Sequence, residues 1–376
     1  MKDTAIYIHI PFCDHKCIYC DFYSIITTDN ISSYKDALIK ETDYYATLYS
    51  KESSISSIYF GGGTPSLMKP HYLKEIINHI KKKFCVIDAP EISMETNPGT
   101  VNKNKLKEFL KAGINRISIG IQSFNEEELK FLTRIHDKET AIGTVFNAQK
   151  EGYKNISVDL IFNLPGQTKE IWLNNLEIAA SLPIQHISAY SLILEKGTIL
   201  NKMVLDGKVK IQEDDYDADL YEITIDYLEQ KGFLQYEVSN FAKPGYECLH
   251  NNAYWRYKNY LGFGTSAHSF VNNKRWWNFS SLKMYNAQIE AKGSAEANHE
   301  FITPSENIEE YIMLALRSYG IELPDLERRF GKEWLTRNNK YLQLLNDNNL
   351  IIIKNDLIKL TKRGYAICDE IISKFA

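Results

Sequence analysis

Three cysteines, Cys13, Cys17 and Cys20, constrain this chain more than any other feature. They stand in a C-x3-C-x2-C spacing within A-I-Y-I-H-I-P-F-C-D-H-K-C-I-Y-C-D-F. The apolar, β-branched run Ile6–Ile10 ahead of them reads as a strand. Pro11 ends it, so the cysteines fall on the loop that leaves its C-terminal end. In a parallel α/β barrel that face is where chemistry collects. Three thiolates are one short of a closed site, because structural zinc takes four protein ligands and a 4Fe-4S cluster is normally held by four thiolates. A distant residue or a small molecule must then supply the fourth. An open-site cluster is the favoured reading, and a zinc knuckle completed by His9 or His15 is the alternative. A disulfide is disfavoured, because three is odd and no secretory leader is expected ahead of so early a strand.

The rest of the chain has room for a large core around this loop. Its 376 residues are 44% hydrophobic and 24% charged, ordinary values for a globular protein of one large domain or two unequal ones. A net charge of −4 gives no general attraction to nucleic acid or anionic lipid. No apolar run approaches the roughly 20 residues that span a bilayer. The other cysteines, Cys85, Cys248 and Cys368, are isolated, a pattern that suits a reducing cytoplasm.

Short apolar runs alternate with amphipathic stretches. Strands are predicted at Ile6–Ile10, Ser56–Phe60, Glu91–Thr96, Arg116–Ile121, Ile156–Phe162 and His186–Ile193. In Tyr72–Phe84, the residues Leu73, Ile76, Ile77, Ile80 and Phe84 share one helical face. Gly113 reads as a helix stop, and Asn125 with Glu128 as an N-terminal capping pair. About six strand–helix alternations argue for a parallel α/β sheet, open or curled into a partial barrel. Beyond Gln212 the pattern changes. A helix is predicted over Asp214–Lys231, an extended piece over Phe233–Ala242, and an aromatic, histidine-rich segment over His250–Trp277. Helices at Ile308–Tyr319, Leu323–Phe330 and Trp334–Asn348 follow, then a hairpin around Asn355-Asp356 and a last helix, Arg363–Phe375. This C-terminal part resembles a winged-helix-like module but lacks a basic recognition stripe, so no nucleic-acid partner is expected.

Polar groups recur at the ends of the predicted strands. Gly61-Gly62-Gly63-Thr64-Pro65 follows the second, where glycines let backbone N–H groups approach a ligand. It has neither the P-loop lysine nor the dinucleotide fingerprint, so an amino acid or nucleoside suits it better than a triphosphate. Glu95 with Asn97, Gln122 with Ser123, and Asp159 follow on later strands, where an unpaired polar group would be costly. Arg134 is placed to pair with a carboxylate. Each alone reads equally well as a satisfied core or surface group.

Together these motifs resemble the radical S-adenosylmethionine (SAM) superfamily. Y-I-H-I-P-F-C, F-G-G-G-T-P-S, E-T-N-P, S-I-G-I-Q-S-F and D-L-I-F-N-L-P-G-Q-T narrow the resemblance to the branch of oxygen-independent coproporphyrinogen III oxidase. It implies an α/β fold, a three-quarter (β/α)6 barrel over residues 1–290 with a small winged-helix-like α+β domain over 291–376. It further implies a 4Fe-4S cluster on Cys13, Cys17 and Cys20, with the SAM amino and carboxylate groups on the fourth iron. Tyr7, Tyr19, Gly62, Gly63, Thr64, Glu95, Gln122, Arg134 and Asp159 would bind SAM, whose reductive cleavage yields a 5′-deoxyadenosyl radical.

Two departures count against the oxidase itself. The oxidases resemble this chain but have a further cysteine where Phe22 stands, and an N-terminal extension for which cysteines beginning at position 13 leave no room. His250-Asn251-Asn252-Ala253-Tyr254-Trp255 instead resembles the H-N-x-x-Y-W motif of the HemW-type haem chaperones. That family implies haem binding at His250, Tyr254 and Trp255, with His250 as the iron ligand. It implies delivery of haem to apo-haemoproteins such as respiratory cytochromes, and a cytoplasmic protein. Peripheral membrane contact and homodimerisation stay open, and no catalytic residue is assigned. The alternative is a radical SAM dehydrogenase that converts coproporphyrinogen III to protoporphyrinogen IX.

Overall fold

The computed structural model describes residues 1–375; Ala376, the last residue of the expected C-terminal domain, lies outside them. Among the described residues fifteen strands run in chain order: β1 Lys2–Ile10, β2 Ser53–Gly62, β3 Cys85–Thr96, β4 Arg116–Gln122, β5 Asn155–Phe162, β6 His186–Ser191, β7 Leu234–Gln235, β8 Asn240–Ala242, β9 Asn259–Phe263, β10 His268–Val271, β11 Lys274–Asn278, β12 Glu296–Phe301, β13 Ile321–Glu322, β14 Ile351–Lys354 and β15 Leu357–Leu360. β1 to β6 lie side by side in sequence order, each parallel to the next. All six predicted strands are therefore present, β1 to β3 several residues longer than predicted, β4 and β5 one residue longer, and β6 two residues shorter. Strands in such a sheet are covered on both faces, which is why β1 reads as nearly continuous apolar sequence, with Ala5, Ile6, Ile8 and Ile10 fully buried.

The helices between these strands form for local reasons. In Pro70–Lys83, Pro70 opens the first turn, Leu73, Ile76, Ile77 and Ile80 bury one face, and Lys81 to Lys83 complement the dipole at the C-terminus. Full burial contributes roughly 1.5–3 kcal/mol for each such side chain. Gly113 ends Lys103–Ala112 at φ +109°, the left-handed cap expected of it. The capping pair at Asn125 is one-sided. Asn125 accepts from the Glu128 N–H, but the Glu128 carboxylate turns inward to Asn175 (3.0 Å) and Gln167 (2.9 Å).

The sheet extends beyond the six predicted strands. β9 joins the free edge of β1 in parallel, and β10, β11 and β12 continue it antiparallel. At the other edge β8 and β7 pair antiparallel beyond β6. β12, Glu-Ala-Asn-His-Glu-Phe, is a largely exposed edge strand whose charges give no strand pattern.

The C-terminal residues have a core of their own, built around Ile312, Leu316, Leu326, Trp334, Leu345 and Leu360. Their small sheet runs β13-β15-β14. Asn355 and Asp356 both take positive φ in the hairpin turn, at 51° and 58°. The predicted last helix is two, Lys362–Ala366 and Cys368–Ser373, broken at Ile367. The break lets Tyr365 reach the Ser318 carbonyl (2.7 Å) while Ile371 still faces the core.

Candidate functional site

The cysteine loop is closed at its base and clamped by its neighbour. Cys13 N–H donates to the Ile25 carbonyl (3.0 Å), and Ile25 N–H to that of Pro11 (2.8 Å). Gly63 N–H donates to Ile10 (2.8 Å) and Thr64 N–H to Phe12 (2.7 Å), so the turn after β2 lies directly on the cysteine loop. A Cβ on Gly63 would stand 2.8 Å from the Phe12 carbonyl and 2.9 Å from Cys13 Sγ. Gly62, at φ +109°, leaves room for the His9 ring, which a Cβ would meet at 2.4 Å. Glycine is required here because two loops touch, and the N–H groups of Gly62 and Gly63 are already taken by Glu95 and Ile10.

A hydrogen-bonded path joins two of the thiols. Thr64 Oγ1 donates to Cys13 Sγ (3.5 Å), and Asn97 Nδ2 donates to Thr64 Oγ1 (3.1 Å). Arg134 Nη2 donates to Asn97 Oδ1 (2.7 Å) and to the Gly120 carbonyl (2.6 Å), and its Nη1 reaches Cys17 Sγ and the Tyr19 hydroxyl, each at 3.5 Å. Donors aimed at sulfur suit thiolates that carry charge on a cluster. Among the described residues no three His, Cys, Asp or Glu side chains gather as ligands of a single ion would.

The other residues singled out for SAM line the same end of the sheet. Glu95 accepts from the Tyr59 hydroxyl (2.9 Å) and Gly62 N–H (3.1 Å); burial, then the charge of Asp159, raises its pKa to about 7. Asp159 accepts from Ser118 (2.9 Å), and burial raises it as well. Tyr19 is raised by burial, against the pull of Arg134. Tyr7 and His9 alternate onto one face of β1. His9 Nε2 donates to the Tyr23 carbonyl (2.9 Å), which leaves Nδ1 to accept from the Tyr7 hydroxyl (3.1 Å). Burial lowers the His9 pKa to about 4, so it is neutral. Gln122 sits at φ +73° on a bulge at the end of β4 and makes no hydrogen bond to the cysteine loop among the described residues. Sequence reasoning named His9 only as an alternative zinc ligand and Asn97 only as a strand-end polar group, and assigned neither to the SAM site. The i, i+2 spacing of Tyr7 and His9 on one strand was the signal for the first.

His250 lies on the short helix Leu249–Trp255, packed against β1, β2 and β9. The Glu91 carboxylate accepts from Leu249 N–H (3.1 Å) and His250 N–H (3.2 Å), and the Arg116 guanidinium is 3.9 Å from it. The His250 ring stacks on Tyr59 at 4.8 Å. Both of its nitrogens are occupied, Nδ1 by Ser57 Oγ (3.1 Å) and Nε2 by the Tyr254 hydroxyl (3.0 Å). Burial, then the charge of Arg116, lowers its pKa to about 3.

A cavity of about 480 Å³ separates the cysteine loop from this helix. It is lined by Asp21, Phe22 and Tyr23 of the loop, by Tyr254, Tyr260, Ser266, Ala267 and His268, and by Tyr7 and His9. His250 and Trp255 are not among the lining residues.

Comparison with known proteins agrees with this arrangement. Residues 7–178 match the radical SAM superfamily, and residues 302–367 match the HemN C-terminal domain. The chain is 33% identical to the haem chaperone HemW of Bacillus subtilis, over 99% of this chain and 98% of that one. It is 37% identical to the haem chaperone HemW of Escherichia coli, over 72% and 71%. Its fold superposes on coproporphyrinogen III oxidase (HemN) of Escherichia coli, a radical SAM enzyme, with a TM-score of 0.85 at 24% identity, covering 100% of this chain and 90% of that one. That likeness is one of fold. The chain belongs to the radical SAM superfamily and, within it, to the family of HemW haem chaperones.

Proposed function

We propose that the chain is a haem chaperone that carries a 4Fe-4S cluster and SAM, and that it passes haem to apo-haemoproteins such as respiratory cytochromes. The observation that carries this reading is the aromatic cavity between the cysteine loop and the H-N-x-x-Y-W helix. At about 480 Å³ it falls in the size range of small-molecule sites, roughly 300–1,000 Å³. Tyr23, Tyr254 and Tyr260 offer rings to a macrocycle, and Phe22, 59% exposed, adds another.

Cys13, Cys17 and Cys20 would hold the cluster, and the absence of a side chain on Gly63 keeps the space beside Cys13 clear. When bound, the cluster supplies one-electron chemistry to the SAM sulfonium. Arg134 fixes Asn97 and Cys17 together, while Tyr7, Tyr19, Gly62, Thr64, Glu95, Gln122 and Asp159 position SAM. Six β/α units in sequential order support a sheet curled as a partial barrel over residues 1–290, and the helices with the β14–β15 hairpin support a winged-helix-like module over 291–376. Six free cysteines among the described residues suit the cytoplasm. No described helix is long and apolar enough to cross a membrane.

The test is anaerobic reconstitution with iron and sulfide, followed by parallel assays of haem binding and coproporphyrinogen consumption. Haem binding without porphyrinogen turnover is expected. Turnover to protoporphyrinogen without haem binding would replace this reading with the oxidase.

A further inference from the structure

His250 is fixed from three directions. Its backbone N–H donates to Glu91 (3.2 Å), its ring stacks on Tyr59 at 4.8 Å and 24°, and Nδ1 meets the fully buried hydroxyl of Ser57 on β2 (3.1 Å). A fourth contact differs in kind. Nε2 meets the Tyr254 hydroxyl at 3.0 Å, and the two rings stand edge to face at 5.0 Å. His250 is 1% exposed and does not line the cavity, whereas Tyr254 is partly exposed and does. Nε2 is therefore the nitrogen on the cavity side, and the Tyr254 hydroxyl covers it. A neutral imidazole has one N–H and one lone pair, and a ligating histidine donates its other N–H to a fixed acceptor that sets the tautomer. Ser57 Oγ is placed to accept from Nδ1–H. The lone pair then lies on Nε2, where the Tyr254 O–H donates to it.

We propose that Ser57 is a positioning residue that presents Nε2 of His250 as the iron-binding nitrogen, and that Tyr254 caps this nitrogen and must turn aside before iron can reach it. The proposal rests on the haem-chaperone reading, in which His250 is the iron ligand, and names the two side chains that control that ligand. The cavity of about 480 Å³ in front of Tyr254 gives its ring room to move. The exchange balances without any redox change. The O–H···Nε2 hydrogen bond breaks, and the Nε2 lone pair bonds to ferric iron in place of a bound water. The proton stays on the Tyr254 oxygen, and Nδ1–H stays on Ser57.

The test is stopped-flow mixing of ferric haem with the full chain, followed by the Soret band, with electron paramagnetic resonance of the product. Wild-type protein should bind haem with a histidine signature that His250→Ala loses. Tyr254→Phe keeps the ring and drops the hydroxyl. In it the histidine-ligation step should run about fivefold faster or more, the factor that one net hydrogen bond supplies, and reach the wild-type final spectrum. In Ser57→Ala, haem affinity should fall about tenfold or more and the g-values of the bound ferric iron should shift, because the ligating imidazole has lost its outer partner. A ligation rate unchanged or slower in Tyr254→Phe, or wild-type affinity and g-values in Ser57→Ala, would overturn the proposal while leaving the chaperone reading intact. Wild-type protein that binds no haem at all would remove the chaperone reading, and this proposal with it.

Discussion

The hydroxyl of Tyr254 is hydrogen-bonded to Nε2 of His250 at 3.0 Å, and the same tyrosine lines the cavity beside the cysteine loop. The buried histidine of the H-N-x-x-Y-W motif thus reaches the cavity through its i+4 neighbour. Removing the hydroxyl in Tyr254→Phe leaves a buried imidazole nitrogen without its partner, at a cost of roughly 1–3 kcal/mol. Urea unfolding should show that loss with an unchanged slope. Wild-type stability in the variant would mean that the contact contributes nothing.

Gly63→Ala tests the seam between the two loops. The added methyl would lie 2.9 Å from Cys13 Sγ and 2.8 Å from the Phe12 carbonyl, and the latter is backbone that cannot rotate away. The variant should keep its secondary structure by circular dichroism yet retain less than about half of the wild-type iron and sulfide after reconstitution, since a well-packed seam does not relax freely. Full cluster loading would show that the seam yields at no cost.

Arg134→Gln removes the guanidinium shared by Asn97, Gly120, Cys17 and Tyr19. Charge-assisted hydrogen bonds contribute roughly 1.5–3 kcal/mol each, so SAM affinity of the cluster-loaded protein should fall at least about tenfold. Calorimetric titration with SAM measures this. An unchanged dissociation constant would place Arg134 outside the SAM site.

Stability should fall between about pH 5 and pH 8, in part through Glu41. This fully buried carboxyl accepts from Gly264 N–H (2.8 Å), Asn278 (2.6 Å) and Tyr285 (2.6 Å), yet burial outweighs these donors and raises its pKa from 4.5 to about 7. Between those values the folded protein keeps a proton that the unfolded chain has released, so the stabilisation present below the unfolded value is lost as the pH rises through the folded one. The full effect is about 3 kcal/mol at most. Urea midpoints across this range should decline less steeply in Glu41→Gln. Equal slopes in the two proteins would exclude Glu41 as the source.

The strands of the parallel sheet were legible because burial on both faces demands apolar, β-branched runs, and β1 to β6 carry them. β9 to β12 were not, because an edge strand such as Glu296–Phe301 carries the charges and exposed positions of a loop. The one-sided cap at Asn125 shows the same limit. Glu128 fits a reciprocal cap by spacing, but Asn175 and Gln167 offer it buried partners that local sequence cannot reveal.

The chain alone determined the cysteine loop, the glycine turn that packs on it and the polar groups at successive strand ends, because each depends on residue type at short spacing. Tertiary structure decided how they combine. It joined Cys13 to Cys17 through Thr64, Asn97 and Arg134. It also buried His250 behind Tyr254, which lines the cavity together with Phe22. The partners in that path stand up to 117 positions apart in the chain, so no local pattern could have shown which of them meet.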